Sequence, residues 1–117
     1  MSKYPHLISY TDGGSRGNPG PAAFGYVLKT PDGETIAGHG EYIGETTNNQ
    51  AEYKAILAAI RKARELGTET LEMRMDSELA MKQLTGEYRV KDQGIANVYL
   101  LIHNEKLFFK KVTFKHV

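Results

Sequence analysis

Apolar and polar residues alternate strictly over residues 71–75, which predicts a half-buried β-strand that ends at Asp76. Four other segments have the composition of strands and lie between turn signals: residues 7–11, 22–30, 34–43 and 107–117. Pro31, Asp32 and Gly33 are a turn signal between the second and third strands, because Asp and Gly accept a positive φ. The first three strands are therefore predicted to form an antiparallel meander.

Helical spacing replaces this alternation in three segments. After Thr47, apolar residues recur at that spacing at Ile56, Ile60, Ala63 and Leu66. Thr47 and Gln50 fit a capping box at the start of this helix, and Gly67 ends it. Residues 77–84 are predicted to form a short helix closed by Gly86, and residues 92–105 a longer amphipathic helix.

The order of elements, β-β-β-α-β-α-α-β, predicts the α/β class. Strands separated by helices are expected to be parallel, so the predicted sheet is mixed and five-stranded. It consists of the antiparallel meander and two parallel strands, and helices flank it. No repeat or linker interrupts the pattern, and residues 1–117 are expected to form a single domain.

Composition narrows the possible chemistry. The 117 residues include no cysteine, which excludes a disulfide framework, a thiolate metal site and a cysteine nucleophile. No apolar run is long enough for a transmembrane helix and no secretion signal is recognised, so a cytoplasmic protein without membrane contact is expected. The formal net charge is only +1, so binding to a polyanion would depend on local basic patches or bound cations.

Three carboxylates are candidates for a functional site. Asp12 is predicted to close the first strand and Asp76 the fourth, at the sheet edge where open α/β sheets bind ligands. Glu52 lies on the apolar face of the first helix, where a charge is costly unless it is paired or bound to a metal. If all three converge, their oxygen atoms suit Mg²⁺ or Mn²⁺.

Each acid also has an ordinary structural explanation. Asp12 precedes two glycines and could be a turn residue, and Asp76 could cap the following helix. Glu52 could reach solvent at the start of its helix, where the macrodipole favours an anion. The histidines have no ligand spacing and fit surface or interface positions better: His6, His39, His103 and His116.

The segment after the first strand suggests a phosphate ligand. Its glycines, Gly13, Gly14 and Gly17, would let backbone N–H groups approach a ligand closely. Asn48 and Asn49 lie at a predicted helix N-terminus, a common place for a phosphate. The alternative is that loops are commonly glycine-rich and helix starts commonly polar. Together with the carboxylates, these residues suggest a phosphodiester held against metal ions.

Four short motifs carry a resemblance to a known family: YTDGGS at 10–15, GNPGP at 17–21, TNNQAE at 47–52 and MDS at 75–77. In this order and on these predicted elements, they resemble the ribonuclease H type 1 (ribonuclease HI) family over essentially the whole chain. The resemblance implies a ribonuclease H-like fold and endonucleolytic hydrolysis of the RNA strand of RNA–DNA hybrids. It also implies two Mg²⁺ or Mn²⁺ ions and products with 5′-phosphate and 3′-hydroxyl ends.

Residue roles follow from the same resemblance. Asp12 would bridge both metal ions, and Glu52 and Asp76 would hold the second. The residues expected to bind the hybrid are Gly13, Gly14, Ser15, Asn18, Thr47, Asn48 and Asn49. Contacts to 2′-hydroxyl groups would distinguish RNA from DNA.

The sequence departs from the family pattern in two places. The family usually continues past the last strand into a helix with a fourth carboxylate, whereas this sequence ends at Val117. One metal site is therefore expected to be incomplete and hydrolysis weak. A monomer is expected, with self-association possible through uncovered apolar surface. Residues 86–91 also leave no room for the long basic protrusion of some members.

Two other functions remain open from the sequence. One is an inactive module of the same fold that binds hybrids or a protein without cutting. The other is a nuclease or integrase that uses three carboxylates on DNA.

Overall fold

Eight secondary-structure elements follow one another in the predicted order in a computed structural model, which describes residues 3–117. They are β1 (His6–Ser15), β2 (Gly20–Lys29), β3 (Thr35–Thr46), α1 (Asn48–Glu65), β4 (Thr70–Met75), α2 (Glu78–Leu84), α3 (Gln93–Lys106) and β5 (Lys111–His116). The strands form one sheet in the order β3-β2-β1-β4-β5. β1, β2 and β3 pair antiparallel, while β4 is parallel to both β1 and β5. The predicted α/β fold with a mixed five-stranded sheet is confirmed.

The first strand is longer than the sequence pattern predicts. β1 continues beyond Asp12 because β2 pairs with it as far as Ser15, whose partner is Ala22. The prediction that Asp12 closes the strand is therefore wrong. Glycines 13 and 14 extend the strand instead of opening a loop, and the connection to β2 shrinks to residues 16–19.

The last strand is shorter than predicted. Residues 107–109 form turns that close the end of α3, since the N–H groups of Leu107, Phe108 and Phe109 donate to carbonyl groups of the last helical turn. The apolar run in this segment does not distinguish a strand from a helix end. β5 begins only at Lys111, where pairing with Thr70 of β4 starts.

Side chains at the helix starts settle two questions from the sequence. The Thr47 hydroxyl accepts a hydrogen bond from the Gln50 N–H at 3.1 Å, which confirms the Thr47 half of the predicted capping box, whereas the Gln50 side-chain oxygen accepts from the Thr46 hydroxyl instead. The Ser77 hydroxyl accepts from the Ala80 N–H at 3.0 Å and caps α2. Asp76 is therefore not the N-cap of α2, and its carboxylate is not used for that purpose.

One hydrophobic core lies between the sheet and the helices. Leu7 of β1 and Met73 of β4 are fully buried on the same face of the sheet, and α1 packs against that face through Ile56 and Ile60. Burying each of these side chains contributes about 2 kcal/mol. This packing places the N-terminal turns of α1 over β1, next to the end of β4.

The opposite face of the sheet carries a polar network on β1, β4 and β5. The Arg74 guanidinium donates to the Tyr10 hydroxyl at 2.8 Å and also bonds Glu72. The Lys115 ammonium lies 3.2 Å from the other oxygen of Glu72. Partial burial opposes ionisation of Glu72, but these two cations outweigh it and hold its pKa below the usual range. Through Arg74 and Lys115, the Glu72 carboxylate therefore links side chains of β1, β4 and β5.

His103 makes the stability of the fold depend on pH. Its Nε2 atom is buried without a hydrogen-bond partner in residues 3–117, and its ring lies edge-on to Tyr99 at 4.4 Å. Burial first, and the charge of Lys106 second, lower the pKa of His103 below its ordinary value of 6.5. Because protonation then favours the unfolded chain, the free energy of unfolding should fall as the pH drops through about 6.5 toward the lower folded pKa.

Chemical denaturation between neutral pH and about pH 5 measures this dependence. His103→Phe should remove the part that comes from this side chain. His39→Gln is the matched control, because His39 is half exposed and paired with Glu41. Identical pH profiles for the wild type and His103→Phe would contradict the assignment.

Candidate active site

Two of the three candidate carboxylates leave the sheet side by side. Thr11 of β1 pairs with Met75 of β4, and these strands are parallel. Asp12 and Asp76 are the next residues on the two strands, and both are exposed. The carboxyl end of β4 thus meets β1 at Asp12, so the two acids are neighbours as expected, although Asp12 lies within its strand and not at its end.

A close approach of two backbones brings Glu52 to the same edge. A methyl group on Gly13 would lie 2.4 Å from the carbonyl carbon of Ala51 and 2.6 Å from the nitrogen of Glu52. Real Cβ atoms do not come this close to backbone, so α1 can lie on β1 here only because residue 13 is glycine. Gly13 therefore positions Glu52 beside Asp12.

The electrostatics of the site also connect the three acids. Burial raises the pKa of Glu52 most, the charges of Asp12 and Asp76 raise it further, and the Ser77 hydroxyl opposes the shift. None of the three carboxylates forms a salt bridge with Lys, Arg or His in residues 3–117. The site thus holds like charges that no side chain in this part of the protein neutralises.

This donor set fits a hard divalent cation in chemistry, although it is not closed around one. No three His, Cys, Asp or Glu side chains within residues 3–117 lie close enough together to enclose a metal ion. The side chains of Asp12, Glu52 and Asp76 would therefore have to rotate toward one another to bind an ion.

A latch of hydrogen bonds fixes the connection between β1 and β2 to the start of α1. The Ser15 N–H donates to the Asn48 side-chain oxygen at 2.6 Å, and the Ser15 hydroxyl shares its proton between the same oxygen, at 3.1 Å, and the Gly17 carbonyl. The Asn48 N–H donates to the side-chain oxygen of Asn18 at 3.1 Å. The side-chain oxygens of Asn18 and Asn48 both accept hydrogen bonds within the protein, so their NH₂ groups remain available to a ligand.

The other predicted substrate residues lie around this latch. Thr47 directs its hydroxyl to the helix cap, so its side chain serves the fold. A methyl group on Gly14 would come no closer than 3.6 Å to the Asn48 side chain, which is ordinary contact. Asn49 is half-buried on the first turn of α1. Of the predicted substrate residues, Asn18 and Asn48 form the latch, and Gly14 lies beside the Asn48 side chain.

Two residues that the sequence reasoning passed over lie beside the same segment. Arg16 follows β1 directly, and Tyr42 of β3 is 67% exposed. Both line a hollow of about 540 Å³ next to Gly14. Exposure cannot be read from the sequence pattern of an edge strand, and no motif includes Tyr42.

Asn48 provides a test of the latch. Asn48→Ala removes the acceptor of two hydrogen bonds, so we expect the free energy of unfolding to fall by about 1 kcal/mol. Asn48→Asp keeps an acceptor oxygen and should retain most of that stability. Urea denaturation measures both, with Asn49→Ala as the neighbouring control. Equal losses for the Ala and Asp variants would contradict the latch.

None of the four histidines is ion-paired with the three acids in residues 3–117, although His116 is the strand partner of Met75, next to Asp76. His6 Nδ1 lies 2.6 Å from the Thr70 hydroxyl. His116 is 4.0 Å from Glu78.

No helix in residues 3–117 has the length and apolar character needed to cross a membrane.

Comparisons with known proteins agree with the fold. A family described as "Reverse transcriptase-like" matches residues 10–117. Ribonuclease HI of Halobacterium salinarum is 52% identical over 87 residues, which are 74% of this chain and 44% of that protein. The chain spans less than half the length of this relative.

Solved structures extend the match. The crystal structure of RNase H1 from Halobacterium salinarum is 42% identical, with a TM-score of 0.91 over 96% of this chain and 85% of that one. LC11-RNase H1, from compost, was solved in complex with an RNA/DNA hybrid. It is 40% identical, with a TM-score of 0.90 over 95% of this chain and 84% of that one.

Proposed function

The chain belongs to the ribonuclease H type 1 family, and from this premise we propose that it hydrolyses the RNA strand of RNA–DNA hybrids with divalent metal ions. The observation that carries the proposal is the convergence of three acids at one edge of the sheet: the parallel pairing of β1 and β4 places Asp12 beside Asp76, and the close approach of α1 at Gly13 brings Glu52 to them. Three carboxylates with no basic partner are costly to hold together, and cation binding offsets that cost. A relative at 40% identity that was solved with an RNA/DNA hybrid supports the choice of substrate.

The metal ligands would be the three acids at the sheet edge. Asp12, from within β1, would be shared between two ions, and Glu52 and Asp76 would hold one of them. When bound, Mg²⁺ or Mn²⁺ would activate the attacking water and stabilise the leaving oxygen. The Gly13 contact holds Glu52 against β1, so two of the ligands come from elements whose spacing is rigid.

Substrate contacts would come from the latch and the glycine segment. Because the oxygens of Asn18 and Asn48 are bonded inside the protein, their NH₂ groups are free to donate to phosphate or sugar oxygens. Gly14 has no side chain to keep a nucleotide away from this edge. Donors aimed at a 2′-hydroxyl would select RNA over DNA.

Cleavage assays on three labelled substrates test the proposal: an RNA–DNA hybrid, duplex DNA and single-stranded RNA. We expect the RNA strand of the hybrid alone to be cut, with Mg²⁺ or Mn²⁺ present and not with a chelator. Glu52→Gln should abolish cutting. Glu65→Gln, a 71% exposed acid at the other end of the same helix, should not.

The other outcomes separate the competing functions. Binding to the hybrid without cutting under every metal condition would indicate a binding module. Cutting of duplex DNA as fast as the hybrid would indicate another metal-dependent nuclease. Either result would overturn the proposal.

A further inference from the structure

A shallow hollow lies next to the candidate active site. It has a volume of about 540 Å³, and we call it the Tyr42 hollow. Its lining includes Gly14, Ser15, Arg16, Pro21, Ala23 and Tyr42. Ala23 pairs with Gly14 on one side and with Tyr42 on the other, so small residues form its floor between β1 and β3.

Arg16 supplies a free positive charge to this hollow. The arginines at positions 61, 64 and 74 each lie within 4 Å of a glutamate, whereas Arg16, like Arg89, has no acidic partner in residues 3–117. Its backbone is fixed, because its N–H donates to the Pro21 carbonyl at 2.8 Å. A side chain on Gly20 would collide with the Arg16 carbonyl, so the turn is also closely packed. The backbone of Arg16 is therefore fixed beside the hollow, and its exposed guanidinium is available to an anion there.

Tyr42 supplies an unoccupied aromatic surface. It is 67% exposed, more than any other aromatic side chain in residues 3–117. The next most exposed rings are covered by cations: Arg64 lies 3.4 Å from the centre of Phe108, and Lys82 lies 5.1 Å from that of Tyr88. No ring or cation of the described chain lies on Tyr42.

We propose that the Tyr42 hollow binds a single-stranded extension of the hybrid substrate, with one base stacked on the Tyr42 ring and its phosphate on Arg16. The proposal rests on the proposed function, since it needs a hybrid at the three acids. An aromatic surface combined with a basic group is the usual way to bind single strands without reading sequence. Gly14 lies two residues beyond Asp12, about 7 Å along β1. A nucleic-acid strand that leaves the three acids in this direction therefore reaches the hollow directly.

Glu45 allows the phosphate contact to be tested by charge. It is the strand partner of Pro21, which places it at the rim of the hollow. A phosphate bound there is opposed by this carboxylate. Glu45→Gln should therefore tighten binding of the extended substrate and leave the blunt hybrid unchanged.

The main experiment compares one hybrid duplex with blunt ends and with short overhangs, RNA or DNA, at the 5′ or 3′ end. Fluorescence anisotropy without divalent ions measures Kd. We expect at least one overhang to bind about ten-fold tighter than the blunt hybrid, the gain from one stacked base. Tyr42→Ala and Arg16→Ala should each remove most of this gain and leave the blunt hybrid unchanged. Tyr42→Phe should retain it, and Arg61→Ala is the distant charge control.

The outcomes distinguish this inference from the proposed function. If the wild type binds and cuts the blunt hybrid but no overhang improves Kd, the inference is wrong and the function stands. The same holds if Tyr42→Ala weakens blunt and extended hybrids equally, or changes only association of the protein with itself. If the wild type neither binds nor cuts any hybrid, the proposed function fails first.

Discussion

Asp12→Asn is expected to reduce cleavage of an RNA–DNA hybrid by about a thousand-fold, equivalent to about 4 kcal/mol of transition-state stabilisation. The substitution keeps the shape of the side chain but removes the charge that would bind the metal ions. Asp12 is exposed and has no ion pair in residues 3–117, so its loss leaves no buried group without a partner. Stability should therefore stay within about 0.5 kcal/mol of the wild type.

Steady-state cleavage and urea denaturation, measured on the same preparations, test this result. Asp32→Asn is the matched control, because Asp32 is an exposed aspartate in the turn between β2 and β3. Its activity should equal that of the wild type. If Asp12→Asn retained more than about a tenth of wild-type activity, Asp12 would not be a metal ligand.

Gly13→Ala is expected to cost about 3 kcal/mol of stability and most of the activity. The new methyl group would lie 2.4 Å from backbone of Ala51, and backbone cannot rotate away as a side chain can. The first turns of α1 would have to lift from β1, which moves Glu52 away from Asp12. One methyl group thus alters both the packing and the candidate metal site.

Gly14→Ala provides the control for this prediction. The equivalent methyl group would find no atom closer than 3.6 Å, so stability should change by less than about 1 kcal/mol. Urea denaturation measures the difference between the two variants, and cleavage is assayed at a temperature where both are folded. Equal losses of stability from the two substitutions would contradict the close approach of Ala51 to Gly13. A Gly13→Ala variant with the stability and activity of the wild type would contradict it as well.

Part of the site could be predicted because its signals are local. Thr47 and Gln50 are three residues apart, and the Thr47 half of the capping box they were predicted to form is present. The period-two pattern of 71–75 places Asp76 at a strand end without reference to any other element. The identity of the three candidate acids depended on patterns of this kind.

Other features depended on partners distant in sequence. β1 extends past Asp12 because β2 is there to pair with it, and the sequence of β1 alone contains a glycine pair that looks like a loop. Likewise, the apolar sequence after α3 is compatible with a strand. Only the structure shows that the N–H groups of these residues donate to carbonyl groups at the end of the helix.

The sequence by itself determined the order of the elements and the class of sheet, and it indicated three candidate acids, because periodicity and capping are properties of neighbouring residues. Only the tertiary structure decided that Gly13 is a packing requirement and that Arg16 and Tyr42 share one hollow. Those facts depend on how closely α1 approaches β1 and on the pairing of β2 with β3. Distances between elements are set by the packing of the whole core, which no local pattern encodes.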